Sequence, residues 1–294
     1  MSRVEHEVLA AVLQVRPLDK AADASAPPSR ETPGNDGGRG KARGQARDAS
    51  RGGASTAYGQ RPARGREGDA GAQGTSPEPA FQRLRESTLQ VLLWQRAREP
   101  QSGRWSLPGG RLGPDEDVET SVRRQLAEKV DVRQLSHVEQ LAVFSAPDRV
   151  PEARVIATAF LGLVPSDMDP EVPPDTAWHP VNDLPETAFD HGAIVMRARD
   201  RLRSKLSYTN LGFALAPPSF TISALRDVYS AALGYRVSAT NLQRVLSRRV
   251  LLEPTGEMLP PGPSGGRPAA LFRFTCRDIR VTDPFAVLRP PSSG

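Results

Sequence analysis

The chain is poor in several things that would each have settled a class. It has a single cysteine, Cys276, which excludes an intramolecular disulfide framework and fits a reducing compartment. It sits in the alternating run LFRFTCR, so a packed structural thiol is expected rather than a nucleophile. No apolar run approaches the length of a membrane span, and the opening MSRVEHEVLAAVLQV carries acids inside its apolar stretch, unlike a signal peptide. A cytoplasmic protein with no membrane partner is the expectation. The most pronounced deficit is local: residues 21–80 contain no Ile, Leu, Val, Met, Phe or Trp. Such a segment cannot bury enough apolar surface to offset its ordering entropy, so it reads as a disordered, solvated insert. Its arginines are largely balanced by Asp23, Glu31, Asp36, Asp48, Glu67 and Asp69. The net charge of +5 over 294 residues permits an anionic partner without requiring one.

What is present is an α/β pattern followed by a change of character. Val4 to Val15 and Ser87 to Gln95 read as two strands interrupted by the insert, a tolerable place for a long loop. Residues 115–130 carry Val118, Val122, Leu126 and Val130 at helical spacing on one face. His137 to Ser145 and Arg154 to Leu163 read as two strands joined by a turn, and Ala177 to Val181 begins another. Asp190 is placed to cap a helix over 193–205. Beyond the prolines at 217 and 218, Thr221 caps the helix ISALRDVYSAALG, which should bury Leu225, Val228 and Leu233. Phe220 and Leu225 are spaced as a staple, and Gly234 supplies the stop. Ser238 caps ATNLQRVLSRRV, whose Leu242, Val245 and Leu246 face inward. Asn241, Arg244, Arg248 and Arg249 lie on its other side. A Gly/Pro loop carrying Arg267 precedes a final strand.

Residues 104–132 resemble the Nudix box, G-x5-E-x7-R-E-U-x-E-E-x-G-U with U bulky and apolar. Gly110, Glu116, Arg124, Leu126, Glu128 and Val132 fall on pattern positions. The departures are Gln125 and Lys129 in place of Glu, and Asp131 in place of Gly. Three carboxylates at 125, 128 and 129 would be helix neighbours able to hold Mg²⁺, a cation that demands oxygen ligands. Of these only Glu128 remains, as a weak metal ligand if any, and Lys129 brings an ammonium. Two like unit charges repel by about 4 kcal/mol at 4 Å for an effective dielectric near 20. Little or no hydrolysis is expected, no cofactor is required, and Mg²⁺ would matter only to residual hydrolysis. By the same resemblance, Glu116 and Arg124 form an ion pair bracing the loop on the helix. Arg111 and Arg154 are candidates for effector phosphate contact, with solvent-facing or structural roles open for both.

The C-terminal pair of short capped helices with a Gly/Pro-tipped hairpin looks like a winged helix-turn-helix. Asn and Arg on the second helix suit base edges in a major groove, and Arg267 suits phosphate or minor groove. Together the two parts resemble Nudix-related transcriptional regulators of NAD metabolism, the NrtR type. The resemblance implies an α/β/α sandwich with a C-terminal winged helix: residues 1–20 as first strand, 21–86 as insert, 87–208 as the remaining Nudix-like domain, 209–219 as connector, 220–280 as winged helix and 281–294 as tail. It further implies a homodimer on a double-stranded DNA operator, repressing NAD biosynthesis or salvage genes, with ADP-ribose or a related nucleotide as effector. The connector would carry the change in spacing between the two recognition helices. An active pyrophosphatase on ADP-ribose or a similar nucleoside diphosphate derivative stays open, as does a nucleic-acid-processing Nudix protein indifferent to DNA sequence.

Overall fold

A strand that is apolar on both faces must be covered on both, and β1 (Glu5–Pro17) is such a strand. Side chains alternate across it, so Val8, Ala10 and Val12 enter one layer while Leu9, Ala11, Leu13 and Val15 enter the other. The computed structural model describes residues 4–18, 87–130, 132, 135–151, 153–261 and 267–283. The insert expected over 21–86, Asp131 and the tail from 284 lie outside the described residues.

β1 is the centre of a mixed sheet. It runs antiparallel to β2 (Ser87–Gln95), with Leu13 opposite Val91, and parallel to β6 (Val155–Val164), with Leu9 opposite Ala159. β3 (Trp105–Ser106) and β7 (Thr176–Pro180) pair with β2, β4 (Gly109–Arg111) pairs with the start of β1, and β5 (His137–Phe144) closes the far edge on β6. α1 (Val118–Lys129) covers one face by placing Val122 and Leu126, with Val130 after it, against Val8, Ala10 and Val12. α2 (His191–Tyr208) covers the other through Ile194, Val195, Ala198 and Leu202. The result is the expected α/β/α sandwich.

Two helix starts differ from expectation for identifiable reasons. α1 begins at Val118 rather than 115, because the Asp117 side chain accepts the Thr120 N–H at 2.7 Å and fixes the first turn there. Asp190 does head α2, but its side chain makes no capping bond. Its carboxylate instead takes the Arg149 guanidinium, at 3.0 and 2.8 Å. A fully desolvated arginine needs its charge compensated more than a helix needs one cap.

The stretch 209–219, expected to be a connector, is part of the core. Leu211–Ala214 form a 3-10 turn, and Leu211 through Ala216 are buried. Asn210 pins it by donating to the carbonyls of Cys276 and Asp278 and accepting the Arg280 N–H. The tail expected from 281 also begins in the fold, since Val281 bridges Thr209 and the Thr282 N–H donates to the Tyr208 carbonyl.

The C-terminal part follows its caps. Thr221 accepts the Ala224 N–H at 3.1 Å to start α3 (Ile222–Leu233), and Gly234 ends it at φ 79°, a left-handed conformation open to glycine. Ser238 caps α4 (Ala239–Arg248), and β8 (Leu252–Leu259) pairs antiparallel with β9 (Ala269–Phe274) as the wing. Phe220 bridges Phe272 and tilts against Phe274, ring centroids 5.4 Å apart. Leu225, Val228 and Tyr229 of α3 and Leu242 and Leu246 of α4 join the same apolar cluster as Leu9, Leu13 and α2. The winged helix and the α2 side of the sandwich therefore share one core.

Candidate functional site

Residues 104–117 approach α1 through closely packed glycines, of which Gly109 lies against backbone and Gly110 against a side chain. A Cβ on Gly109 would stand 2.2 Å from the Val8 carbonyl oxygen, and one on Gly110 would stand 2.7 Å from the Gln125 amide. Glu116 fastens the loop to the helix. Its Oε1 accepts the Gly113 N–H at 2.7 Å and Arg124 Nη2 at 2.6 Å, and its Oε2 accepts Arg124 Nε at 2.9 Å. Those bonds, the Arg124 guanidinium first, hold the Glu116 carboxyl down at about 2, and Arg124 is pushed up in return. The structural pair implied by the resemblance is thus formed. A carboxyl whose folded pKa is depressed stabilises the fold above its unfolded pKa and loses that contribution as pH falls through the folded value. Acid titration of thermal stability should show wild type leading Glu116→Gln above about pH 4.5, with the lead closing towards pH 2. A lead independent of pH would show that Glu116 acts through shape rather than charge.

The three positions where the pattern calls for carboxylates hold a different set of groups. Gln125 is buried, its Nε2 reaching the Arg111 carbonyl at 3.4 Å and its Oε1 without a hydrogen-bond partner. Glu128 turns along the helix to Arg124, at 3.0 Å. The Lys129 ammonium donates to the Gly109 carbonyl and lies 5.4 Å over the Trp94 ring, where burial lowers its pKa. A divalent cation needs several oxygens and tolerates no ammonium among them. These residues do not fit one.

The same lysine lines a cleft of about 560 Å³ with Glu7, Trp94, Arg96, Arg98, Arg111 and Phe189. The Arg96 guanidinium lies 5.0 Å over the Phe189 ring. Phe189 is held at φ 51°, a left-handed conformation that costs a bulky residue about 1–3 kcal/mol, with its N–H donating to Gln101 Oε1 at 2.8 Å. Beneath them His191 is pushed down to about 4 by burial and accepts the Leu107 N–H on Nδ1. Arg149, only 6% exposed, joins Glu7 of the cleft to Asp190 and so holds Glu7 in place. Ser106 Oγ, also at the cleft, is buried without a partner. Cationic side chains beside aromatic rings suit a phosphorylated, ring-bearing ligand.

Arg111 stands at the rim, its side chain 77% exposed and paired with Glu5 at 2.7 Å. Arg154 takes the structural role open to it: its Nη1 donates to the carbonyls of Ser145 and Ala146 and braces the turn between β5 and β6. Trp94 and Arg96, Arg149, and Phe189 were missed because they come from three segments far apart in the chain, and spacing within any one of them says nothing about the others. The one usable signal was the lone arginine in the otherwise turn-like APDRVPEA.

A second surface lies on the C-terminal domain. Along α4, Asn241, Arg244 and Arg248 are exposed on one face while Leu242 and Leu246 are buried on the other, and Val245 is half-buried. Arg244 Nη2 donates to Asn241 Oδ1 at 2.7 Å, which extends the guanidinium along the helix. Arg267, at the wing, is exposed. Arg249 departs from the expected face: it donates to the Ser207 carbonyl and pairs with Asp283, both at 3.0 Å, tying the end of α4 to the body instead of presenting a cation outward. Tyr235, 65% exposed, and Arg236 extend the polar surface at the α3–α4 turn.

Comparison with known proteins follows this division. Residues 80–198 match the NUDIX domain and residues 212–274 match the NrtR DNA-binding winged helix domain. The crystal structure of Shewanella oneidensis NrtR complexed with a 27mer DNA is similar at 31% identity and TM-score 0.54, over 64% of this chain and 87% of that one. The ADPR responsive transcriptional repressor NtrR of Acinetobacter baylyi is 29% identical over 203 residues, 67% of this chain and 80% of the relative. The ADP-ribose pyrophosphatase of Methanocaldococcus jannaschii is 31% identical over 135 residues, 44% of this chain and 75% of its own length.

Proposed function

The chain belongs to the NrtR family, a Nudix domain joined to a DNA-binding winged helix, and from that premise we propose that it is a transcriptional repressor of NAD biosynthesis or salvage genes whose cleft senses ADP-ribose or a related nucleotide. The carrying observation is the pairing of two surfaces on one core. One is the exposed Asn241–Arg244–Arg248 face of α4; the other is a cleft whose metal positions hold Gln125 and Lys129. A sensor must leave its effector intact, since turnover would erase the signal. The repressor works as a homodimer, with two recognition helices on a two-fold axis reading a pseudo-palindromic operator.

Release by effector is a linkage between sites, so the nucleotide must bind the DNA-incompetent arrangement of the dimer more tightly. Residues 211–216 are too deeply packed to act as a loose hinge. The change therefore passes as a tilt of each whole protomer against its partner, consistent with interfaces that switch between discrete packings. No helix among the described residues is long and apolar enough to cross a membrane. A mobility shift with the promoter fragment upstream of the NAD biosynthesis genes should give a sequence-specific complex that ADP-ribose dissolves. Absence of any specific complex would remove this reading.

The pyrophosphatase reading is favoured by the likeness to the Methanocaldococcus jannaschii enzyme and opposed by Lys129. Release of AMP from ADP-ribose that needs Mg²⁺ and is lost in Glu128→Gln would establish it.

A further inference from the structure

We propose that the Lys129 ammonium takes over the charge of the missing divalent cation, so that this cleft holds the diphosphate of a nucleotide without metal. The inference rests on reading the cleft as a nucleotide site. Lys129 stands at the end of α1, in one of the three helix positions the pattern reserves for metal-binding carboxylates. It is half-buried, anchored at the Gly109 carbonyl and laid over Trp94, so its position is held before any ligand arrives. An ammonium has three donors; one is used on Gly109, leaving two for phosphate oxygens.

The surroundings favour an anion over a cation. Arg96, Arg98 and Arg111 line the same cleft. The carboxylates near them are engaged, Glu7 by the buried Arg149 at 2.6 Å and Glu5 by Arg111 itself at 2.7 Å. Glu128 is drawn away to Arg124. A metal ion there would find the nearby carboxylates engaged by arginines and would be repelled by Lys129. The diphosphate finds instead a fixed cation and arginines lining the same cleft. A lysine neutralises the phosphates as a point charge but presents no bound water for attack. Binding and cutting are thereby separated by one side chain.

Titration calorimetry of the full chain with ADP-ribose, in EDTA and in Mg²⁺, tests this, with circular dichroism confirming that each variant is folded. Wild type should bind with the same Kd in both buffers, within about twofold. Lys129→Ala should weaken binding about 10- to 100-fold in both, the loss expected for a charge-assisted hydrogen bond, and Lys129→Arg should restore most of it. Lys129→Glu should bind poorly in EDTA and recover when Mg²⁺ is added. Wild-type binding abolished by EDTA, a Lys129→Ala protein as tight as wild type, or no recovery of Lys129→Glu by Mg²⁺ would each overturn the proposal. Failure of the wild type to bind ADP-ribose, ADP or pyrophosphate in either buffer is a different result: it removes the nucleotide reading itself.

Discussion

Changing Arg244 and Arg248 together to alanine should abolish recognition of the operator and leave the melting temperature where it was. Both side chains stand exposed on the face of α4 opposite Leu242 and Leu246, and neither supports the core. Arg244 is held by Asn241 Oδ1 at 2.7 Å, so its guanidinium is ordered before DNA is met and less rotamer entropy is lost on binding. A well-placed arginine contributes about 1–3 kcal/mol of discrimination at a guanine edge. Losing two raises the specific Kd by about 30-fold to 10⁴-fold. Surface changes of this kind alter stability by about 0.5 kcal/mol or less. Fluorescence anisotropy on an operator duplex and on a scrambled duplex measures the effect, with thermal melts as the control. If the double variant still prefers the operator, recognition lies elsewhere, with Tyr235 and Arg236 at the α3–α4 turn the next surface to examine.

Phe220→Ala should lower stability by about 3–5 kcal/mol, the usual cost of emptying a buried aromatic site. The ring is fully buried and packs on Phe274, and its backbone is bridged to Phe272 of the wing. The cluster it belongs to also takes in residues of α2, α3 and the central strand β1. A shared core unfolds as one cooperative unit, so calorimetry on wild type and variant should each show a single transition for the described body. For a body of this size about 1 kcal/mol corresponds to about 2–4 °C, which places the shift at about 6–20 °C. Two transitions, with the sandwich melting unchanged and only the winged helix lost, would show that the halves are independent.

Much of the local architecture was legible. Thr221, Ser238 and Gly234 mark helix ends through side-chain oxygens and a left-handed glycine, signals complete within four residues. Glu116 and Arg124 lie eight positions apart on one loop and helix, and the pairing implied by resemblance formed. Helical spacing also sorted Asn241, Arg244 and Arg248 from Leu242 and Leu246. Arg249 shows the limit of that reasoning. Its place on the helix was right, but a carboxylate and a carbonyl at distant positions claimed it, and spacing on one helix carries no information about either. Which of its open roles Arg154 takes was equally beyond local spacing, since the turn it braces is built by the strands on either side.

The sequence alone determined the two-part organisation, the elements and their caps, the α4 face and the substitutions at 125 and 129. Each of these depends on periodicity or on neighbours within a turn or two, where backbone geometry dictates who meets whom. Only the tertiary structure decided that Arg149 would be buried between Glu7 and Asp190, 142 and 41 positions away. It alone built the cleft from Trp94, Arg96, Lys129 and Phe189, and turned an expected connector into core. Those outcomes are settled by which surfaces the sheet and helices must cover and which buried charges must be paired, and that competition is decided across the whole chain at once.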